Sequence, residues 1–144
     1  MAEFINTIDV LGDDGLFDAL VENTLEEFSD NVITMLGWSV LGYQPNLKKV
    51  NVPNVTVIWN HCFYNSASLT ALILSSSTIC TLSNTQALTG TPIKSGTGYI
   101  YVPRALVDSY KTATNWSTYA AQFRALEDYT VDGTTTGDLD ETKI

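Results

Sequence analysis

Basic residues and histidine are scarce in this chain. Of its 144 residues, 7 are Lys or Arg against 16 Asp or Glu, which leaves a net charge of -9. A surface of that sign repels the phosphates of DNA and RNA and the headgroups of an anionic bilayer, so neither nucleic acid nor a membrane is expected as a partner. No apolar run approaches the ~20 residues needed to cross a bilayer. The N-terminus lacks the basic and apolar regions of a secretory signal, which reads as a protein made and folded in a cytoplasm. One histidine, His61, and two cysteines, Cys62 and Cys80, are too few and wrongly spaced for a structural zinc site. Neighbours on a strand point to opposite faces, so the His61–Cys62 adjacency does not make a nucleophilic pair either, and His61 reads as a partly exposed turn residue. Glycine-rich phosphate loops are missing, and the acids from Asp132 to Glu141 do not follow a calcium-loop pattern. No catalytic residue, metal or cofactor is expected, and the cysteines read as free buried thiols.

What the chain does have is apolar content, 44% hydrophobic against 16% charged, enough for one folded domain. The acids are unevenly placed: nine precede Asn31, where no Lys or Arg occurs, and none lies between Asn31 and Val107. Phe4 to Val10 has the apolar content of a short strand or extended arm, ending at a turn cluster, Leu11 to Gly15. Leu16, Phe17, Leu20, Val21, Leu25 and Phe28 then recur near helical spacing, which predicts an amphipathic helix capped by Asp13 or Asp14. Glu26 and Glu27 sit at the wrong end of such a helix for its dipole, so something else must favour them.

From Val32 the chain becomes short apolar runs that recur. Leu47-Lys-Lys-Val50-Asn-Val52-Pro53 aligns with Leu69-Thr-Ala-Leu72-Ile-Leu74-Ser75 at an offset of 22. Upstream, Val32, Met35 and Val40 align with Val55, Ile58 and Phe63 at an offset of 23. A third, degenerate copy falls on Leu82, Ala87 and Thr97 to Pro103, stretched by Thr89 to Gly96, which reads as an insertion loop. A period in the low twenties carrying L-x-x-L-x-L belongs to the leucine-rich-repeat class, in which each copy offers an apolar face that only the next can bury. The alternative is a small irregular β-rich domain. After Pro103, Ala105 to Tyr110 predicts one short helix, and the stripe Trp116, Tyr119, Ala120, Phe123, Leu126 a second, suited to capping the last apolar edge. The segment 129–144 lacks a core pattern and reads as a loose acidic tail or an arm ordered by a neighbour.

The blocks Leu47 to Pro53, Ile58 to Leu74 and Gly98-Tyr-Ile-Tyr-Val-Pro103, followed by Leu106-Val-Asp-Ser-Tyr-Lys111 and Asn115-Trp116, resemble the BspA-type leucine-rich repeats found in proteins of gut bacteria and their prophages. Ile5 to Gly12 resembles the lead-in of phage-encoded versions. The resemblance covers roughly 31–128. It departs from the family in carrying few repeats and in placing Cys62 before Phe63, where the family's cysteine follows the Phe.

Together these readings give an α/β chain: a short leucine-rich-repeat solenoid of two to three repeats with an N-terminal helix and a C-terminal helical cap. Its parts are an arm and amphipathic helix (1–30), the repeats (31–103), the cap (104–128) and the tail (129–144). The resemblance implies a phage or prophage virion-associated adhesion or receptor-binding protein, located on the virion or in the host cytoplasm during assembly. Its alternative is a structural virion subunit that oligomerises through its terminal arms. Partners would be a protein or a cell-surface glycan, with copies of itself or other virion proteins. Exposed aromatics bind both classes well, so the candidate contacts are Trp38, Tyr43, Trp59, Tyr64, Tyr99 and Tyr101, with core filling the competing role for Trp38 and Trp59.

Overall fold

A computed structural model describes residues 2–6 and 23–144. Among them the chain forms strands β1 (Ala2–Asn6), β2 (Leu25–Asp30), β3 (Met35–Leu36), β4 (Lys49–Asn51), β5 (Val57–Ile58), β6 (Ala71–Ile73), β7 (Thr81–Leu82), β8 (Tyr99–Val102) and β9 (Phe123–Ala125). Two parallel sheets result, one ordered β1-β2-β4-β6-β8-β9 and the other β3-β5-β7. From β2 to β8 the chain visits the sheets alternately, and the core lies between them. The architecture is therefore α/β with parallel sheets and few helices.

Side-chain alternation explains which residues face inward. On the larger sheet Phe28, Val50, Leu72 and Ile100 pair in one buried row, and Val52, Leu74 and Val102 are buried two residues further on. The smaller sheet contributes Leu36, Ile58 and Leu82 from the opposite side. Pairing of Val50 with Leu72 is the register of the 22-residue alignment between Leu47–Pro53 and Leu69–Ser75. The upstream alignment is one residue off: Met35 pairs with Val57, and Leu36 with Ile58, again 22 apart. Leu36 is buried while Met35 is exposed, so the apolar residue that the 23-residue offset selected points outward. A one-residue slip exchanges the two faces of a strand.

Turns between the strands are tied to one another by side chains. Asn46 Nδ2 donates to the Asn23 carbonyl at 2.8 Å and Ser68 Oγ to the Pro45 carbonyl at 2.6 Å, each 23 residues back. Asp30, buried at the end of β2, accepts the Val32 and Ile33 N–H groups on Oδ1 at 2.8 and 2.9 Å. Such local carboxylate–amide bonds hold a tight turn that backbone pairing alone leaves unsatisfied.

Leu25 to Asp30 is a strand, where the apolar spacing predicted the end of a helix. Pairing with β1 and β4 on both sides satisfies its backbone, and tertiary pairing overrides a local helical pattern. That pairing also accounts for Glu26 and Glu27: their carboxylates lie 3.6 and 3.8 Å from the ammonium groups of Lys48 and Lys49, where the neighbouring strand β4 begins. The remainder of the predicted helix, with its Asp13 or Asp14 cap and the preceding turn cluster, lies outside the described residues.

Two later expectations also change. The insertion 89–96 contains a one-turn helix, α1 (Pro92–Ser95), capped by Thr91 and seating Ile93 in the core, rather than an irregular loop. Beyond Pro103 the first helix is α2 (Val107–Thr112), but the second apolar stripe divides into a 3-10 segment (Trp116–Gln122), strand β9 and a 3-10 turn (Leu126–Asp128). Spacings of three and four suit a 3-10 turn followed by an extended strand as well as a helix, and the free edge of β8 claims Phe123 to Ala125 as a pairing partner.

This closing segment satisfies the edge of the smaller sheet. Cys80 donates its N–H to the Tyr110 hydroxyl at 2.8 Å, and its carbonyl accepts the Trp116 indole N–H at 2.6 Å. Asn115 Nδ2 donates to the Leu82 carbonyl at 2.7 Å, and the Tyr119 hydroxyl donates to the Thr85 carbonyl. Tyr110, Trp116 and Phe123 pack on one another with ring centroids 5.2 to 5.8 Å apart. The tail folds back: Thr130 and Leu139 form an antiparallel bridge, and Leu139 is buried on Ala71, Ile73 and Tyr101 of the larger sheet's outer face. Leu139 and the half-buried Tyr129 are the apolar residues that anchor it, too few in a polar segment to register as a core pattern in the sequence.

Two outcomes follow. Trp116→Phe keeps an aromatic side chain but shrinks the buried indole to a phenyl and leaves the Cys80 carbonyl without its donor, and is expected to cost at least about 1–3 kcal/mol in urea denaturation; an unchanged midpoint would mean the bond carries no stability. Burial pushes the phenols of Tyr101, Tyr110 and Tyr119 and the Cys80 thiol up to about 12, and the Cys62 thiol upward as well. An unfolded chain sheds these protons near 9 for thiols and 10 for phenols, while the folded chain holds them. Stability is thus full below about pH 9 and declines as pH rises toward 12. Urea midpoints at ~pH 8 and ~pH 10.5 test this, the second expected to be the lower.

Candidate binding surface

The turns that leave the smaller sheet carry aromatic side chains outward. Met35 is 51% exposed, Trp38 63%, Tyr43 61% and Trp59 39%, all large apolar groups that the core does not take. They lie on one strip with His61 and Tyr64. Trp38 meets the His61 ring edge-on at 5.5 Å, His61 meets Tyr64 at 4.8 Å, and Tyr43 meets Tyr64 at 5.7 Å. A backbone bond from the Tyr43 N–H to the Tyr64 carbonyl, 2.8 Å long, sets that last pair side by side. Edge-to-face contact is the favoured geometry of neighbouring rings and gives such a strip a defined shape.

Backbone conformation explains how the strip is presented. Ser39 and His61, 22 residues apart, both hold positive φ (54° and 59°), and so do Tyr43 and Asn65 (56° and 58°). These left-handed residues reverse the chain at equivalent places; Ser39, Tyr43 and Asn65 are exposed, and His61 is half-buried between the Trp38 and Tyr64 rings. Asparagine and glycine adopt that region most readily, whereas Tyr43 and His61 occupy it at a cost of roughly 1–2 kcal/mol each. His61 is steadied by the Asn60 side chain, whose Oδ1 accepts its N–H at 2.9 Å.

Met35, Gly37, Trp38 and Trp59 line a shallow groove of about 370 Å³ at one end of the strip. Further along, beyond Trp59, a second groove of about 290 Å³ runs between β7 and the closing segment, lined by polar as well as apolar groups, among them Thr81, Ser83 and Asn115. Among the described residues no cluster of three or more His, Cys, Asp or Glu could hold a metal ion, and no helix is long and apolar enough to cross a membrane. Cys62 and Cys80 are free and buried.

Four of the six sequence-derived candidates therefore gather on one surface: Trp38, Tyr43, Trp59 and Tyr64. Tyr99 and Tyr101 belong to another, the outer face of the larger sheet. Tyr101 is only 1% exposed beneath the tail, which corrects its reading as a surface contact. The Arg124 guanidinium lies over the half-buried Tyr99 ring at 4.4 Å, which already occupies one of its faces. Met35, Gly37 and His61 are the members the sequence reading passed over. A usable signal existed: Trp38 to Trp59 and Tyr43 to Tyr64 are both steps of 21, one short of the 22-residue strand register, which makes each pair near neighbours on adjacent turns.

If Tyr43 sits in the left-handed region for the sake of its exposed ring, then Tyr43→Asn relieves backbone strain and removes only surface contacts. Its melting temperature is expected to equal or slightly exceed that of the parent chain. A fall of several degrees would instead mark Tyr43 as a packing residue. No protein-family model matches the chain, and no curated protein matches it.

Proposed function

We propose that this chain is a short leucine-rich-repeat solenoid acting without catalysis, as a virion-associated adhesion or receptor-binding protein of a phage or prophage. The observation that carries the binding role is the gathering of Trp38, Tyr43 and Trp59, each well exposed, with Met35, His61 and Tyr64 on one face. Keeping such large apolar groups in water forgoes roughly 1.5–3 kcal/mol of burial for each, and contiguous exposed apolar surface marks interaction sites on folded proteins. The solenoid reading is supported by the 22-residue strand register on both sheets and by the recurrence of left-handed residues at the same interval. The virion setting rests on the resemblance of the strand and closing blocks to phage-encoded BspA-type proteins.

An assembly subunit joined through terminal arms has less behind it on the C-terminal side. The tail spends its apolar anchors, Leu139 and Tyr129, on its own sheet. Partners are then a protein or a cell-surface glycan met by the aromatic strip.

The test is binding of the purified chain to a panel of gut-bacterial cells and their isolated walls. Trp38→Ala combined with Tyr43→Asn is expected to reduce binding at least about tenfold at unchanged melting temperature, as loss of exposed aromatic anchors does. Absence of binding to cells and walls alike, or equal binding by the double variant, would overturn the reading.

A further inference from the structure

We infer that the groove between β7 and the closing segment is a binding site for the acetamido group of a neutral N-acetylated sugar. It is separate from the aromatic strip and arises where the sealing of the smaller sheet leaves one donor over. Along a parallel strand, successive residues point their N–H and C=O groups to opposite sides. Thr81 and Ser83 give their N–H groups to the Thr56 and Ile58 carbonyls, toward β5. Cys80 and Leu82 therefore turn theirs to the outer edge. Tyr110 accepts the Cys80 N–H, Trp116 donates to the Cys80 carbonyl and Asn115 to the Leu82 carbonyl. The Leu82 N–H lies between the bonds to Trp116 and Asn115, and no group among the described residues accepts it.

A groove of about 290 Å³ opens at this point, lined by Leu82, Ser83 and Asn115 among others. The Ser83 hydroxyl is shielded from solvent and has no hydrogen-bond partner. Because nothing holds it, rotation about χ1 can turn it to a ligand. Asn115 bonds through Nδ2, which leaves its Oδ1 as an acceptor. Unmet polar groups cost free energy, and a ligand that meets several at once recovers it.

Those groups decide what fits. A secondary amide offers a C=O to the Leu82 N–H and the Ser83 hydroxyl, and an N–H to Asn115 Oδ1. An acetyl methyl suits Ile79 and Ala113, and the hydroxyls of a sugar ring suit Thr81 and Thr114. None of the residues lining the groove is charged. A carboxylate would therefore bring its charge to a site without a cation, on a chain of net charge -9. A peptide is disfavoured for a different reason: adding a strand needs a row of free edge groups, and here the neighbours of the Leu82 N–H are already taken. The volume stands just below the roughly 300–1,000 Å³ of small-molecule sites, which suits one sugar ring.

The experiment is an NMR titration of the isotope-labelled full chain with N-acetylglucosamine, glucose, acetate and the blocked peptide N-acetylalanine methylamide. Expected is a saturable shift of the Leu82 amide with N-acetylglucosamine, while the Trp38 indole N–H stays still. Glucose, which lacks the amide, is expected to bind at least about tenfold more weakly, and acetate not at all. Ser83→Ala removes a hydroxyl that the fold leaves unbonded. Its melting temperature is expected to be unchanged or slightly raised, with sugar binding weakened about threefold or more. A Leu82 amide unmoved by N-acetylglucosamine would overturn the site, whether or not the strip responds. So would glucose bound as tightly, the blocked peptide bound more tightly than the sugar, or equal sugar binding by Ser83→Ala.

Discussion

The structure depends on parallel pairing between strands too short to stand alone. β3, β5 and β7 are two residues long, and β4 and β6 three. A strand of that length buries one to three side chains and, standing alone, leaves its backbone groups unpaired. Only by pairing in register with a neighbour 22 to 28 residues away does each become part of a continuous ladder with a continuous apolar row beneath it. Alternating between two sheets then closes the rows of one over the rows of the other, so that Val50, Leu72 and Ile100 meet Leu36, Ile58 and Leu82 across a common core.

A ladder of this kind ends in an edge, and at the smaller sheet the closing segment answers it with side chains rather than another strand. On the smaller sheet the carbonyls and N–H of Cys80, Leu82 and Thr85 are met by Tyr110, Asn115, Trp116 and Tyr119. On the larger sheet the same segment supplies β9 as a true strand. Aromatic residues suit this task because one ring fills the space a further layer would occupy while its polar atom reaches the orphaned backbone. It also follows that aromatics serve two opposite purposes here. Those after Pro103 are buried to seal the core, and those of the first turns are held in water, two of them with His61 near or at left-handed backbone positions.

The outer face of the larger sheet shows the same economy. Its row of Ala71, Ile73 and Tyr101 is more apolar than a solvated face requires, and it is covered by Leu126 and by Leu139 and Tyr129 of the tail. Toward β2 the same face turns to Glu27 and Lys49, which pair with each other and need no cover. An exposed strip and a covered one thus lie on different sheets.

How much was legible in the residues follows from this division. The apolar alternation of Leu47 to Val52 and Leu69 to Leu74 determined the strand register on the larger sheet, because burial of one face permits only one alignment. The cluster of Tyr110, Asn115 and Trp116 was readable as a closing block for a similar reason, since a last layer must be sealed. Local pattern failed where two geometries serve the same spacing: Leu25 and Phe28 suit a helix or a strand, and Phe123 and Leu126 a helix or a strand with a turn. There the neighbouring strand edges decided, through backbone bonds that no single segment encodes. Exposure was likewise a tertiary decision. Trp38 and Tyr101 are equally plausible as surface contacts in sequence, yet one stands 63% exposed on a turn and the other lies 1% exposed beneath a tail anchored nearly forty residues later. The sequence by itself determined the 22-residue spacing of β4 and β6; which aromatics stay exposed was decided only when successive turns were brought side by side, because exposure depends on what the rest of the chain lays over each ring.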